Sequence, residues 1–400
     1  TAQYMFFETF RECVGIKRVY KRLFAGITSG ATHMFDGTFY GCTRLKEIGS
    51  DGDGLFRNIS NTDSTHTHMF YRTFYGCSNL LYVPADTFAR IPEGASHMFD
   101  STFYNCTGLE AIGDDLFKNI QTTTSSDTYM FYQTFYNCSS LSAIPDDTFA
   151  GITVGASYMF GDTFADCSSI SSIGPLFVNI DTTTGATYMF SGTFYNCVNV
   201  TYVDKFLFKG IRDAQVGMFS QTFYNNSSLR EIPAGLFRNI QSVASNVFFG
   251  TFNGCSSLTA IPVGLFSGIT TLNTPNSLFF QTFARCSSLT AIPDDLFDKI
   301  TTSAESMFNE TFGGCTGLRS IPEPLFRRIS VGAKSMFQYT FNQCSGLRSI
   351  PNALFANITT GAESMFSNTF NGCTGLTGYV PKKLFQGLIE NHVSPSTNMF

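Results

Sequence analysis

Tryptophan is absent from this 400-residue chain, histidine occurs five times, and charged residues make up only 14%. The 25 Lys and Arg are scattered, with no basic stripe or patch in the sequence, which argues against a nucleic-acid partner. No stretch approaches the roughly 20 apolar residues of a membrane span. The H-E-x-x-H, G-x-S-x-G, Walker and dinucleotide-binding patterns are missing, so no catalytic residue and no cofactor is expected. His33, His68 and His97 share one repeat position, but no carboxylate or Cys shares it with them, and no metal site is expected there. The chain does not begin with Met and shows no signal peptide, which reads as a mature or excised piece.

What the chain has instead is a period. Its 12 Cys, from Cys13 to Cys373, follow one another mostly at 29-residue intervals, and Asn226 fills the one vacant place in the series. The repeat reads A-x-x-M-F-x-x-T-F-x-x-C-[ST]-x-L-x-x-I-P-x-x-L-F-x-x-I, as in Ala304–Ile329, followed by a short polar loop. All 12 Met occupy the M position, and forty of the 44 Phe fall in three positions. Core positions so uniform leave little room for a unique active site. A fixed period overrides the prior of several globular domains. Residues 1–400 therefore read as a single continuous repeat array. Its coils start near Met5, Met34, Met69, Met98, Met130, Met159, Met189, Met218, Val247, Leu278, Met307, Met336 and Met365. Both ends, the last at Met399–Phe400, are cut within a repeat.

One coil cannot bury three Phe alone, whereas stacked coils cover one another. The expected fold is α/β: a leucine-rich-repeat-like, right-handed solenoid of about 13 stacked coils, with short extended segments and short helical turns. The L-x-x-I and A-x-x-M pieces read as extended. The i, i+4, i+7, i+10 spacing of Phe308, Phe312, Cys315 and Leu318 reads as helical, and Pro322 fits the first turn of a helix. An all-helical hairpin repeat is the competing architecture. Gly and Ser after each Cys, and helical pieces too short to stand alone, favour mixed coils. Recurrent Asp pairs such as Asp114–Asp115, Asp146–Asp147 and Asp294–Asp295 read as helix N-terminal charge. The Cys column reads as buried free thiols, although an even number in a secreted array would also suit a disulfide framework. The sequons at Asn58 and Asn357 are weak signals.

The run C-[ST]-x-L-x-x-I-P-x-x-L-F, as in Cys286–Phe297, resembles the BspA-like bacterial leucine-rich repeats, and M-F-x-x-T-F resembles the repeats of related surface proteins. The resemblance covers essentially the whole chain. It implies an extracellular or cell-surface protein with a role in adhesion.

Two asymmetries run along the array. Three coils replace I-P with I-G, at Gly49, Gly113 and Gly174, and carry longer Thr-rich loops. The residue before Met is Tyr4, His33, His68, His97, Tyr129, Tyr158 and Tyr188, then small or polar. The residue after the T-F Phe is Tyr40, Tyr75, Tyr104, Tyr136, Tyr195 and Tyr224 in most of the same coils. Equal positions in stacked coils are neighbours, so both columns predict aromatic ladders. These either stabilise the surface or form a binding or assembly face, since Tyr joins a flat apolar body to a polar tip. The leading functional expectation is a structural fibre or appendage segment that self-associates end to end or continues a longer array. The alternative is an adhesion module for a glycan or host protein. An enzyme is not expected.

Overall fold

A computed structural model describes residues 2–49 and 53–391. Met399–Phe400 and residues 392–398 of the irregular last segment lie outside them. The chain forms two compact units, Thr1–Ile211 and Arg212–Phe400.

Both units are stacks of coils joined by short parallel pairings. In the first unit β1 (Arg18–Val19), β2 (Glu47–Ile48), β3 (Tyr82–Val83) and β4 (Ala111–Ile112) form one parallel sheet in chain order. A second pair, β5 (Ser172–Ile173) and β6 (Tyr202–Val203), continues the pattern. These strands come from the L-x-x-I piece, each with one residue outward and one buried. In the second unit β7 (Asp213–Ala214), β8 (Ser242–Val243) and β9 (Thr271–Leu272) pair just ahead of the Met position. The L-x-x-I piece therefore forms an extended pairing as expected, whereas A-x-x-M does not: Met336 N closes a turn on Ala333 O at 3.2 Å, Ser306 is left-handed, and the second set of strands and bridges, such as Val331 with Thr360, lies just ahead of it.

The M-F-x-x-T-F-x-x-C piece is not helical. Every fourth residue is left-handed, as at Ser306 (φ 54°), Glu310 (φ 53°) and Gly314 (φ 75°). A right-handed helix cannot contain such a series. Alternate amides close turns within the coil, Asn309 N to Ser306 O at 3.1 Å and Cys315 N to Phe312 O at 3.1 Å. The amides between them donate to the next coil: Phe308 N to Met336 O, Glu310 N to Gln338 O and Phe312 N to Thr340 O, all at 2.9 Å. A four-residue turn repeat places its apolar side chains at the i, i+4 spacing of a helix, which is why the two look alike in sequence. The L-F half gives one 3-10 helix, Glu323–Phe326, with Pro322 just ahead of it as N-cap. The α-helix of the described residues is α1 (Gln386–Glu390). None of the three Asp pairs, Asp114–Asp115, Asp146–Asp147 and Asp294–Asp295, marks a helix start, because the segments after them are single turns; Asp115 and Asp147 both hold Lys118, at 2.9 and 3.2 Å.

The core is three ladders of Phe rings. Phe35, Phe70, Phe99 and Phe131 stack at 5.3 to 5.4 Å, and Phe39, Phe74, Phe103 and Phe135 at 5.3 to 5.5 Å. The L-F ring packs tilted against the first ladder, Phe117 on Phe99 at 4.8 Å. The second unit repeats this with Phe279, Phe308 and Phe337, and with Phe283, Phe312 and Phe341. The Met, Phe and Cys columns are buried as expected, except in the first coil, where Met5 and Cys13 are exposed.

Two polar columns run through this apolar interior. Thr134 Oγ1 donates to Phe99 O and Thr311 Oγ1 to Phe279 O, both at 2.9 Å and both one coil back. Cys138 Sγ donates to Phe103 O at 3.2 Å and Cys315 Sγ to Phe283 O at 3.1 Å. The cysteines are free, and burial pushes the Cys255 and Cys315 thiols up to about 12, so they remain protonated donors. Asn226, also buried, stands in this column. The I-G variant has a steric cause at Gly113, where a Cβ would lie 2.3 Å from Ala85 N.

Candidate functional site

The outward band of the first unit carries the predicted aromatic columns. The first is one unbroken ladder: Tyr4, His33, His68, His97, Tyr129, Tyr158 and Tyr188. Successive centroids are 4.5 to 5.0 Å apart and the rings lie within 12° of parallel. Each ring projects from a left-handed residue, φ 52° to 58°. In the second ladder Tyr40, Tyr75, Tyr104 and Tyr136 stack at 4.6 to 4.7 Å, and the Arg11 guanidinium lies 4.5 Å from the Tyr40 centroid. Ala165 takes the next place in this column and Tyr195 the one after it, while Tyr224 belongs to the second unit.

Residues between the ladders were not legible as a site in the sequence. The residue after M-F alternates between an aromatic edge and a carboxylate. Tyr71 and Tyr132 meet their ladder rings edge-on, at 5.5 and 5.3 Å. Asp36 and Asp100 instead meet His33 and His97 Nδ1, each at 2.7 Å. The signal was present as H-M-F-D, repeated at 33–36 and 97–100. At His68 the alternation puts Tyr71 where Asp would stand, and His68 Nδ1 is buried without a hydrogen-bond partner. Burial first, and the flanking His97 and His33 second, lower the His68 pKa to about 4. Burial raises Asp36 and Asp162, with the hydrogen bond from His33 opposing the shift at Asp36. The hydrogen bond to Asp166, then burial, raises Tyr136.

A cleft of about 230 Å3 opens between the ladders, lined by Glu8, Arg11, Asp36, Tyr40, Tyr71 and Arg72. Arg72 lies 4.6 Å from the Tyr71 centroid and 5.9 Å from that of Tyr75. The charges here are already engaged: Glu8 with Arg11, and Asp36 with His33. Within each ladder the ring faces are covered by neighbouring rings, so edges and hydroxyl tips face solvent. Recognition of a sugar or a cation by an aromatic needs an open ring face, and these ladders present few. No group of three or more His, Cys, Asp or Glu among the described residues is arranged to hold a metal ion. No described helix is long and apolar enough to cross a membrane.

Comparison with known proteins places this geometry. Residues 266–377 match the BspA type leucine rich repeat region in six copies. Among solved structures the chain is similar to a leucine-rich repeat protein from Bacteroides ovatus, at 18% identity over 78% of this chain and 69% of that one, TM-score 0.35. It is similar to a leucine rich cell surface protein from Faecalibacterium prausnitzii, at 16% identity over 90% and 82%, TM-score 0.34. A leucine-rich repeat protein from Eubacterium ventriosum gives 15% identity over 86% and 87%, TM-score 0.30. No curated protein matches. The matched stretch contains Cys286–Phe297 and the clean copy Ala304–Ile329, and the same columns recur in both units, so the chain carries a leucine-rich-repeat region of the BspA type within a longer run of similar coils.

Proposed function

We propose that the chain is a structural segment of a bacterial surface protein, one continuous repeat array that serves as a fibre or appendage element outside the cell. The observation that carries this reading is the direction of its bonding. Main-chain amides, Thr hydroxyls, Cys thiols and ring faces all bond to the adjacent coil, as at Phe312 N, Thr311, Cys315 and Phe308. Even exposed amides follow the rule: Asn58 and Asn357 Nδ2 each donate to a carbonyl one coil back at 2.8 Å. Those two bonds also disfavour glycosylation at both sequons. Such a coil offers the same donors and acceptors to whatever coil lies beyond it, so growth by further repeats or by stacking of copies needs no new chemistry. Heterologous contacts that do not close produce filaments.

Electron microscopy of the purified chain tests the proposal. Filaments, or rods that lengthen with concentration, are the expected result. Dispersed particles of constant length at high concentration, together with strong binding on a glycan array, would replace the fibre reading with the adhesion module.

A further inference from the structure

The outward side of β1–β4 carries a cluster that neither the ladders nor the proposed fibre role uses. Lys17, Arg44, Lys46 and Asn79 line an open cleft of about 340 Å3 and all four side chains are exposed. The cations come from successive coils, since Lys46 N donates to Lys17 O at 2.9 Å and Leu81 N to Lys46 O at 3.2 Å. In sequence Lys17 stands 27 and 29 positions before Arg44 and Lys46; stacking at about 4.8 Å brings them together.

None of the three cations has an ion pair among the described residues. Of the neighbouring carboxylates, Glu47 is taken by Arg18 at 3.0 Å and Glu12 by Arg11 at 3.6 Å, while Glu110 stands one coil beyond Leu81, two coils from Lys46. Asn79 Nδ2 is committed to Thr43 O at 2.6 Å, which fixes its side chain against the cleft floor. Three like charges thus share one cleft in a chain of net charge -5. Their mutual repulsion is relieved by an anion. Beside them Leu81 and Tyr82 are 43% and 44% exposed. The Tyr82 ring is in no ring stack, unlike the ladder tyrosines, so its face is open.

We propose that this cleft binds the sulfate or carboxylate groups of an acidic polysaccharide, with a sugar ring against Tyr82. The guanidinium of Arg44 suits a forked oxyanion, and the two ammonium groups supply point charges. A patch of three charges is too short for the continuous phosphate track of a nucleic acid. An acidic polysaccharide has charges spaced by apolar sugar faces, which matches cations on two successive coils followed by Leu81 and Tyr82 on the third. This site is independent of the fibre reading.

The test is binding of a heparin-derived oligosaccharide to the full chain by calorimetry at low salt, with neutral dextran and inorganic sulfate as separate arms. The expected result is oligosaccharide binding that weakens as salt rises and falls at least tenfold in Arg44→Ala/Lys46→Ala. A control variant, Lys205→Ala/Lys209→Ala, removes equal charge from exposed positions elsewhere and should bind within twofold of the unmodified chain. Tyr82→Ala should weaken the oligosaccharide but leave sulfate unchanged. Because the substituted side chains are exposed, circular dichroism should match the parent in every variant. No oligosaccharide binding at low salt, equal losses in the two double variants, or binding of inorganic sulfate alone would each overturn the proposal.

Discussion

The two units share an interior and differ on their outward columns, most completely on the one before Met. In the first unit the residue before Met is a Tyr or His in each coil. In the second it is Gly217, Asn246, Ser277, Ser306, Ser335 and Ser364. The backbone does not change: φ is 53° at Tyr188 and 54° at Ser306. Left-handed backbone costs a Cβ-bearing residue roughly 1–2 kcal/mol, least for Gly and Asn. The first unit therefore places bulky rings where the backbone favours glycine. Stacking on both faces, at 4.8 Å for Tyr129, offsets that cost. The second unit lowers the strain at Gly217 and Asn246 and forgoes the stacking. The Phe, Thr and Cys columns set the coil, and this outward column is free to vary.

The sharpest test of a shared interior is a matched pair of core truncations. Phe103→Ala and Phe312→Ala should each cost about 3–5 kcal/mol, read as loss of hydrogen-exchange protection in the affected unit. Both rings are fully buried and stacked on two sides. A cost at Phe103 well below that at Phe312 would mean that the outward ladders carry part of the first unit's core stability. Thr134→Val and Thr311→Val come next, at about 1–1.5 kcal/mol each, since each removes one buried hydrogen bond between coils while Phe99 O and Phe279 O keep the amides of Thr102 and Thr282. Unequal losses there would also break the equivalence.

The outward column is probed by putting glycine into both units. Ser306→Gly relieves left-handed strain and should be neutral or stabilising by up to about 1 kcal/mol. Tyr129→Gly gains the same relief but loses two stacked neighbours, each worth about 0.5–1.5 kcal/mol beyond area burial. It should destabilise by about 1 kcal/mol net in chemical denaturation. Stabilisation by Tyr129→Gly would show that the ladder is kept for something other than stability, and would favour a binding face.

The period, the buried columns and the ring ladders were legible because each depends only on residue type at a fixed position in the coil. Tyr40 stacks on Tyr75 for the same reason that Phe39 stacks on Phe74. The turn conformation was not legible, because a period of four imitates the helical i, i+4 step. The discriminating signal lay one residue before each Cys, where Gly41, Gly76, Asn105, Asn137 and Asp166 are types that tolerate positive φ. The pairing of His33 with Asp36 was also readable in principle as an i, i+3 contact. It was hidden because Asp36 stands at a different repeat position from the His column. The cleft at Lys17, Arg44 and Lys46 depends on three different positions in neighbouring coils, which only the stack relates.

Acid separates the units by the smallest margin. The described histidines all lie in the first unit: His33, His66, His68 and His97. His68 is stacked between two imidazoles at 4.6 and 4.5 Å, faces the Tyr71 edge, and has no acceptor for Nδ1. Its folded pKa of about 4 lies below the ordinary 6.5, so a proton binds the unfolded chain more tightly. Stability is then level above pH 6.5 and falls as pH drops from about 6.5 towards 4. Asp36, Asp127 and Asp162, raised by burial, act with the opposite sign, so the His68 part is read between pH 7 and 5 as the difference between the parent and His68→Phe. In that window the first unit should lose on the order of 2 °C in Tm, with the second unit unchanged by hydrogen exchange. His68→Phe keeps a ring in the ladder and removes the titrating group, and it should flatten the profile. An equal acid response in both units, or an unaltered profile in His68→Phe, would place the pH sensitivity elsewhere and leave the His68 stack electrostatically silent.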